Sequence, residues 1–133
     1  MIVVKILNNT IVHFEIPAED VETLKRFYEK LFDWKFVEAS MPKRDYWVIQ
    51  TLSTDDEGII KGPGINGGIF KKESPMQKPT NWISVENIDV YMNKLVDLGG
   101  WIIQDKTLIQ GLGWTAIGVD PENNQVALLQ PEK

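Results

Sequence analysis

An internal repeat is the feature that most constrains this sequence. When the chain is laid over itself with a shift of 67 residues, Val21, Leu24, Tyr28 and Leu31 fall on Ile88, Tyr91, Leu95 and Leu98. Trp34 falls on Trp101, and Trp47 on Trp114. The first set recurs at three- and four-residue spacing, with Glu22, Lys25, Arg26 and Glu29 between its members, as in a helix with one apolar face. Met92 extends the second set. Pro17 and Asp20 stand where the first helix needs a breaker and a cap. Asn87 is placed to cap the second, and Gly99-Gly100 to stop it. Residues 10–16 and 77–83 align as the strand before each helix, while 46–52, 101–103, 114–119 and 125–130 alternate as strands. A strand near residues 67–71 aligns with 126–130 once a loop insertion after Thr51 is allowed, and residues 120–124 read as a turn. The order strand–helix–strand–strand–strand therefore occurs twice, in halves each too small to bury a sheet face alone. The prediction is one α+β domain over residues 1–133 with pseudo-twofold symmetry: module one about 8–72, module two about 80–131, and an extra N-terminal strand over 1–7.

Composition narrows the chemistry. The 133 residues carry 14 basic and 19 acidic side chains, a net charge of −5, with 43% hydrophobic and 25% charged residues. That is an ordinary globular balance and excludes disorder, collagen and coiled coil. The absence of cysteine removes disulfides, Cys–Zn sites, iron–sulfur clusters and thiol nucleophiles. His13 is the only histidine, so one chain cannot supply a two-His metal site. The acidic balance argues against a nucleic-acid partner. Residues 1–7 are too short for a signal sequence and are interrupted by Lys5. No stretch approaches the ~18 apolar residues of a membrane helix. A cytoplasmic protein with no membrane partner is expected.

The motifs resemble one family. They are the run His13-Phe14-Glu15-Ile16-Pro17-Ala18-Glu19-Asp20, then Phe27-Tyr28-Glu29-Lys30-Leu31-Phe32-Asp33-Trp34. A second block is Ile83-Ser84-Val85-Glu86-Asn87-Ile88-Asp89 with Leu98-Gly99-Gly100. A third is Gly111-Leu112-Gly113-Trp114 with Asp120-Pro121-Glu122-Asn123-Asn124. In this order they resemble the vicinal oxygen chelate superfamily (glyoxalase, bleomycin-resistance and dioxygenase domains). The resemblance implies paired βαβββ modules forming a curled mixed sheet around a cleft. It does not imply one reaction, because this fold hosts lyases, dioxygenases, epimerases and non-catalytic drug-binding proteins. In the metal-using members each module gives one ligand from its first strand and one from its last. Those positions fall on His13 and Thr80, and near Gly68 and Ala127. Only His13 is a metal-binding side chain, whereas a catalytic site needs about three protein ligands. No cofactor is expected, and a divalent metal would have an incomplete ligand set. The resemblance also implies a homodimer.

Strand alternation places Ile11, His13 and Glu15 on one face and Val12, Phe14 and Ile16 on the other, apolar face. His13 and Glu15 are thus the candidate catalytic acid–base pair, with Glu15 orienting the imidazole and raising its pKa. Ligand binding without chemistry, or a structural His–Glu hydrogen bond, fits the same pattern. The matching face of module two carries Thr80, Trp82 and Ser84. Trp82 is either a flat apolar wall or a plug. Thr80, Trp82, Gly68, Ala127 and Leu129 are the candidate substrate-binding residues of a largely apolar site. Trp34, Trp47, Trp101 and Trp114 pair through the repeat and are expected in the core or at a module interface. Residues 62–67 match G-x-G-x-x-G, but a strand follows where the dinucleotide motif needs a helix. They read as a mobile loop, with Gly67-Gly68 admitting a close approach by a ligand or another backbone. The expected function is a glyoxalase/bleomycin-resistance-like protein that binds a small organic molecule, with the family's metal site largely lost. The alternatives are a metal-dependent lyase or dioxygenase, and a non-catalytic sequestering protein.

Overall fold

The computed structural model describes residues 8–39, 45–52 and 63–132. The expected strand over residues 1–7 and the first glycine of the 62–67 motif lie outside them. The chain forms two compact units: His13–Pro79, and the segment from Thr80 onward together with the residues before His13.

In His13–Pro79 the elements run β1 (Thr10–Ala18, from His13 on), α1 (Val21–Phe32), β2 (Lys35–Ala39), β3 (Tyr46–Gln50) and β4 (Gly67–Lys71). The sheet order is β2-β3-β4-β1, with antiparallel pairs except for parallel β1 and β4. The other unit has β5 (Thr80–Ser84), α2 (Ile88–Asp97), β6 (Trp101–Ile109), β7 (Gly113–Val119) and β8 (Gln125–Pro131), in the order β5-β8-β7-β6. There, β5 and β8 are the parallel pair. The two units share one topology, and the α+β class read from the repeat is what is observed.

Local chemistry explains the helix limits. The Asp20 side chain accepts the Thr23 N–H, and Asn87 accepts that of Val90. Asp33 ends α1 in the left-handed region at φ 60°, and Gly99 follows α2 at φ 105°. Each helix covers one sheet face. Val21 and Leu24 pack with Phe14, Ile16 and Trp47 around Ala18, Ile49 and Ile69. Tyr91 and Met92 pack with Ile83 and Trp114 around Val85, Ile88, Ala116 and Leu128. Burying an isoleucine such as Ile49 or Ile69 is worth about 1.5–3 kcal/mol.

Four expectations are corrected. The strand expected over 77–83 begins at Thr80, because Pro79 has no N–H for a ladder. The strand expected over 101–103 continues to Ile109. Register shifts around Gln104 break its alternation and hid it. Trp101 is 48% exposed, not core. It opens an edge strand opposite Val119, on the face turned away from α2. Strand registers also place the counterpart of Trp47 at Ala116 rather than Trp114: Trp47 faces Ile69, and Ala116 faces Leu128. The two-residue shift leaves both tryptophans on their helix side.

Gly67 faces Phe14 across the β1–β4 pair, and a β-carbon there would come within 2.7 Å of the Phe14 ring as well as crowding its carbonyl oxygen. Gly67→Ala is expected to cost about 1–3 kcal/mol through overpacking. Chemical denaturation of the variant beside the wild type measures it.

Candidate functional site

The face of the His13–Pro79 sheet opposite α1 follows from the registers. Phe14 and Ile16 belong to the helix-side core, so His13 and Glu15 point the other way. Glu15 is paired with Gly68, and Gly68 with Val48, which puts Tyr46 and Phe70 on the same face. His13, Glu15 and Gly68 are therefore brought together.

A fourth residue, unassigned by the sequence reading, completes the group. Tyr46 on β3 reaches over β4 to β1, and its hydroxyl lies 2.8 Å from His13 Nε2. It can cross because the strand between them has Gly68 at the crossing point: a β-carbon there would collide with the Tyr46 hydroxyl. Phe70 stacks beside the Tyr46 ring at 6.2 Å, with only 5° between the planes. Both rings are buried. The close approach foreseen for Gly67-Gly68 is thus made by the chain's own Phe14 and Tyr46.

The electrostatics of His13 have two opposing causes. The His13 pKa is lowered from 6.5, first because burial disfavours the imidazolium; the negative charge of Glu15 raises it but is the smaller effect. The rise expected from Glu15 is present, outweighed by desolvation. At neutral pH the imidazole is therefore uncharged, with one ring nitrogen able to accept and the other to donate. The loop before β4 is anchored beside this face, since the Asn66 side chain accepts the N–H groups of Thr51 and Leu52.

The remaining candidates lie in the other unit. Trp82 is paired with Ala127, and Ser84 with Leu129, on the face away from α2. Thr80 shares that face, and its hydroxyl donates to the Gln125 side chain at 2.8 Å. Thr80, Ala127 and Leu129 are buried and Trp82 half-buried. Glu15–Gly68 and Trp82–Ala127 are corresponding pairs, as the repeat requires.

The metal positions implied by the family resemblance can now be tested on these residues. Ala127 offers no donor atom, and Tyr46 occupies the space a side chain at position 68 would need. His13 Nε2 is already bonded to Tyr46. Among the described residues, no group of three or more His, Asp or Glu side chains could hold a metal. The family ligand set does not fit this chain.

The His13 pKa has a consequence for stability. Between the lowered folded value and the unfolded value of 6.5, the unfolded chain binds more protons, so stability falls as pH drops through that interval. Because His13 is the sole histidine, an NMR titration of the imidazole reads it without assignment. The expected midpoint is below 6.5, and one at or above 6.5 would contradict the burial described.

A model of the Glyoxalase/Bleomycin resistance protein/Dioxygenase superfamily matches residues 10–128. No curated protein matches the chain in sequence. Among solved structures, methylmalonyl-CoA epimerase from Mycobacterium tuberculosis is similar with a TM-score of 0.67 at 10% identity, over 99% of this chain and 94% of that one. A superfamily member from Vibrio splendidus 12B01 gives 0.60 at 12%, over 91% and 97%. The NAD-dependent benzaldehyde dehydrogenase from Legionella pneumophila gives 0.56 at 18%, over 90% and 98%. At such identities the likeness carries the fold alone, and it agrees with the two-unit topology. With most of its length matched by the family model, the chain belongs to the glyoxalase/bleomycin resistance/dioxygenase superfamily.

Proposed function

We propose that this protein binds a small organic molecule through the His13–Tyr46 pair, without the divalent metal used by metal-dependent members of its superfamily. The observation that carries the reading is the 2.8 Å bond between His13 Nε2 and Tyr46 Oη. A neutral imidazole and a phenol side by side supply both a donor and an acceptor to a ligand carbonyl or hydroxyl. Buried Phe70 and partly buried Val48 add apolar surface on the same face. A few fixed polar groups in apolar surroundings are what small-molecule sites use for orientation.

A second reading, acid–base catalysis, is favoured by one observation. His13 is held deprotonated by burial, and Glu15 stands where it would stabilise the imidazolium after proton uptake. His13 is then the general base and Glu15 the group that stabilises its charge.

A thermal-shift screen of small carbonyl, enol and phenol compounds tests the proposal. Stabilising compounds are expected to lose at least about tenfold in affinity with His13→Ala and Tyr46→Phe, as removal of a charge-poor buried hydrogen bond allows. Nickel, manganese, iron and zinc salts are expected to leave the melting temperature unchanged. Hits indifferent to both substitutions, or a stoichiometric metal shift abolished by His13→Ala, would contradict the proposal. Turnover of a hit that vanishes with His13→Ala at unchanged affinity selects the catalytic reading.

A further inference from the structure

The two units differ most in what lies between helix and sheet. In His13–Pro79 that space holds aromatic rings. Phe14 lies over Gly67, its ring 6.0 Å from that of Trp34, and Tyr28 stacks on Trp34 at 5.2 Å with 15° between the planes. In the other unit the repeat sets Leu95 at the place of Tyr28, and the strand registers set Gly100 at the place of Trp34, since Trp101 pairs with Val119 as Lys35 pairs with Gln50. Trp101 faces away from α2. What remains, among the described residues, is a groove of about 300 Å³ between α2 and the β5–β8 pair. Ile83, Val85, Val126 and Leu128 form its floor, and Tyr91 and Leu95 its helical wall.

Leu95 also packs on the side away from the groove. Ideal β-carbons at Gly100 and Gly118 would fall 2.8 and 2.7 Å from Leu95, so this side chain is seated in a notch made by two glycines. That seat packs the end of α2 against β7. At the rim, Leu98 is 79% exposed. Asn9 and Lys94 also line the groove, and the Lys94 ammonium lies 5.2 Å from the centre of the Tyr91 ring. No carboxylate pairs with Lys94 among the described residues.

We propose that this groove binds a flat aromatic anion, such as a one- or two-ring carboxylic acid. The ring takes the place that aromatic side chains fill in the other unit, and the carboxylate meets Lys94. The aliphatic floor supplies the apolar burial, and the Lys94 ammonium, with no carboxylate partner among the described residues, sets the sign of the charged group. The groove lies on the helix side of its sheet, so its lining shares no residue with the His13–Tyr46 pair, and it stands whether or not that pair binds a ligand.

Amide NMR titration of the full chain with 2-naphthoate tests the proposal. Shift changes are expected at Ile83, Val126 and Leu128, with a Kd of about 1 mM or tighter for a ligand of that size. Lys94→Ala is a surface substitution that does not threaten folding, and it is expected to weaken naphthoate at least threefold while leaving neutral 2-naphthamide unchanged. Val126→Phe, which puts a ring into the groove, is expected to abolish binding of both. No shift changes at these residues, equal loss of acid and amide with Lys94→Ala, or changes centred on His13 and lost with His13→Ala would each overturn the proposal. Self-association abolished by Val126→Phe would also overturn it, assigning the groove to a second copy.

Discussion

Tyr46 reaches His13 only by crossing the strand between them, and it crosses at a residue with no side chain. That steric permission at Gly68 governs the rest of the candidate site. It brings a phenol from β3 and an imidazole from β1 within 2.8 Å. It fills the space from which a ligand at the last-strand position would have to reach a metal. It also helps keep the imidazole away from water, and burial is the main cause of the lowered His13 pKa. The lack of a ligand side chain at position 68 and the presence of a neutral hydrogen-bonded pair both follow from one missing β-carbon.

The repeat shows how far two copies of a topology can drift while their hydrogen-bonded registers hold. Glu15–Gly68 and Trp82–Ala127 remain corresponding pairs, and each helix still covers an aliphatic layer. The polar pairs differ: His13 with Tyr46 in one unit, Thr80 with Gln125 in the other. The filling beneath the helices differs as well, with stacked rings under α1 and, among the described residues, a groove beside α2. Backbone pairing has been kept where side-chain chemistry has changed, as expected when the ladder supplies the shared framework and the side chains supply function.

Much of this was legible in the residues because it depends on short-range chemistry. Asp20 and Asn87 cap helices by bonding to backbone three residues on, so sequence spacing alone reveals them. The faces of β1 and β5 follow from alternation, which put His13 with Glu15 and Thr80 with Trp82. Tyr46 escaped because its partner lies two strands away, and only the register and the gap at Gly68 bring them together. Register shifts in β6 concealed most of that strand, and the pairing of Trp101 with Val119 turns that ring outward. The raising effect of Glu15 on the His13 pKa was legible and the net lowering was not, because a charged neighbour can be read from sequence, whereas desolvation depends on everything packed around the ring.

The central claim is that Gly68 permits the Tyr46–His13 bond. Imidazole nitrogen-15 and carbon-bound proton signals of the sole histidine test it most directly, recorded for the wild type, Gly68→Ala and Tyr46→Phe. If the claim holds, Gly68→Ala moves the His13 signals in the same direction as Tyr46→Phe, since both break the bond, while the backbone spectrum stays that of a folded chain. If Gly68→Ala leaves those signals at their wild-type positions while Tyr46→Phe moves them, the tyrosine does not depend on the missing side chain and the claim is wrong.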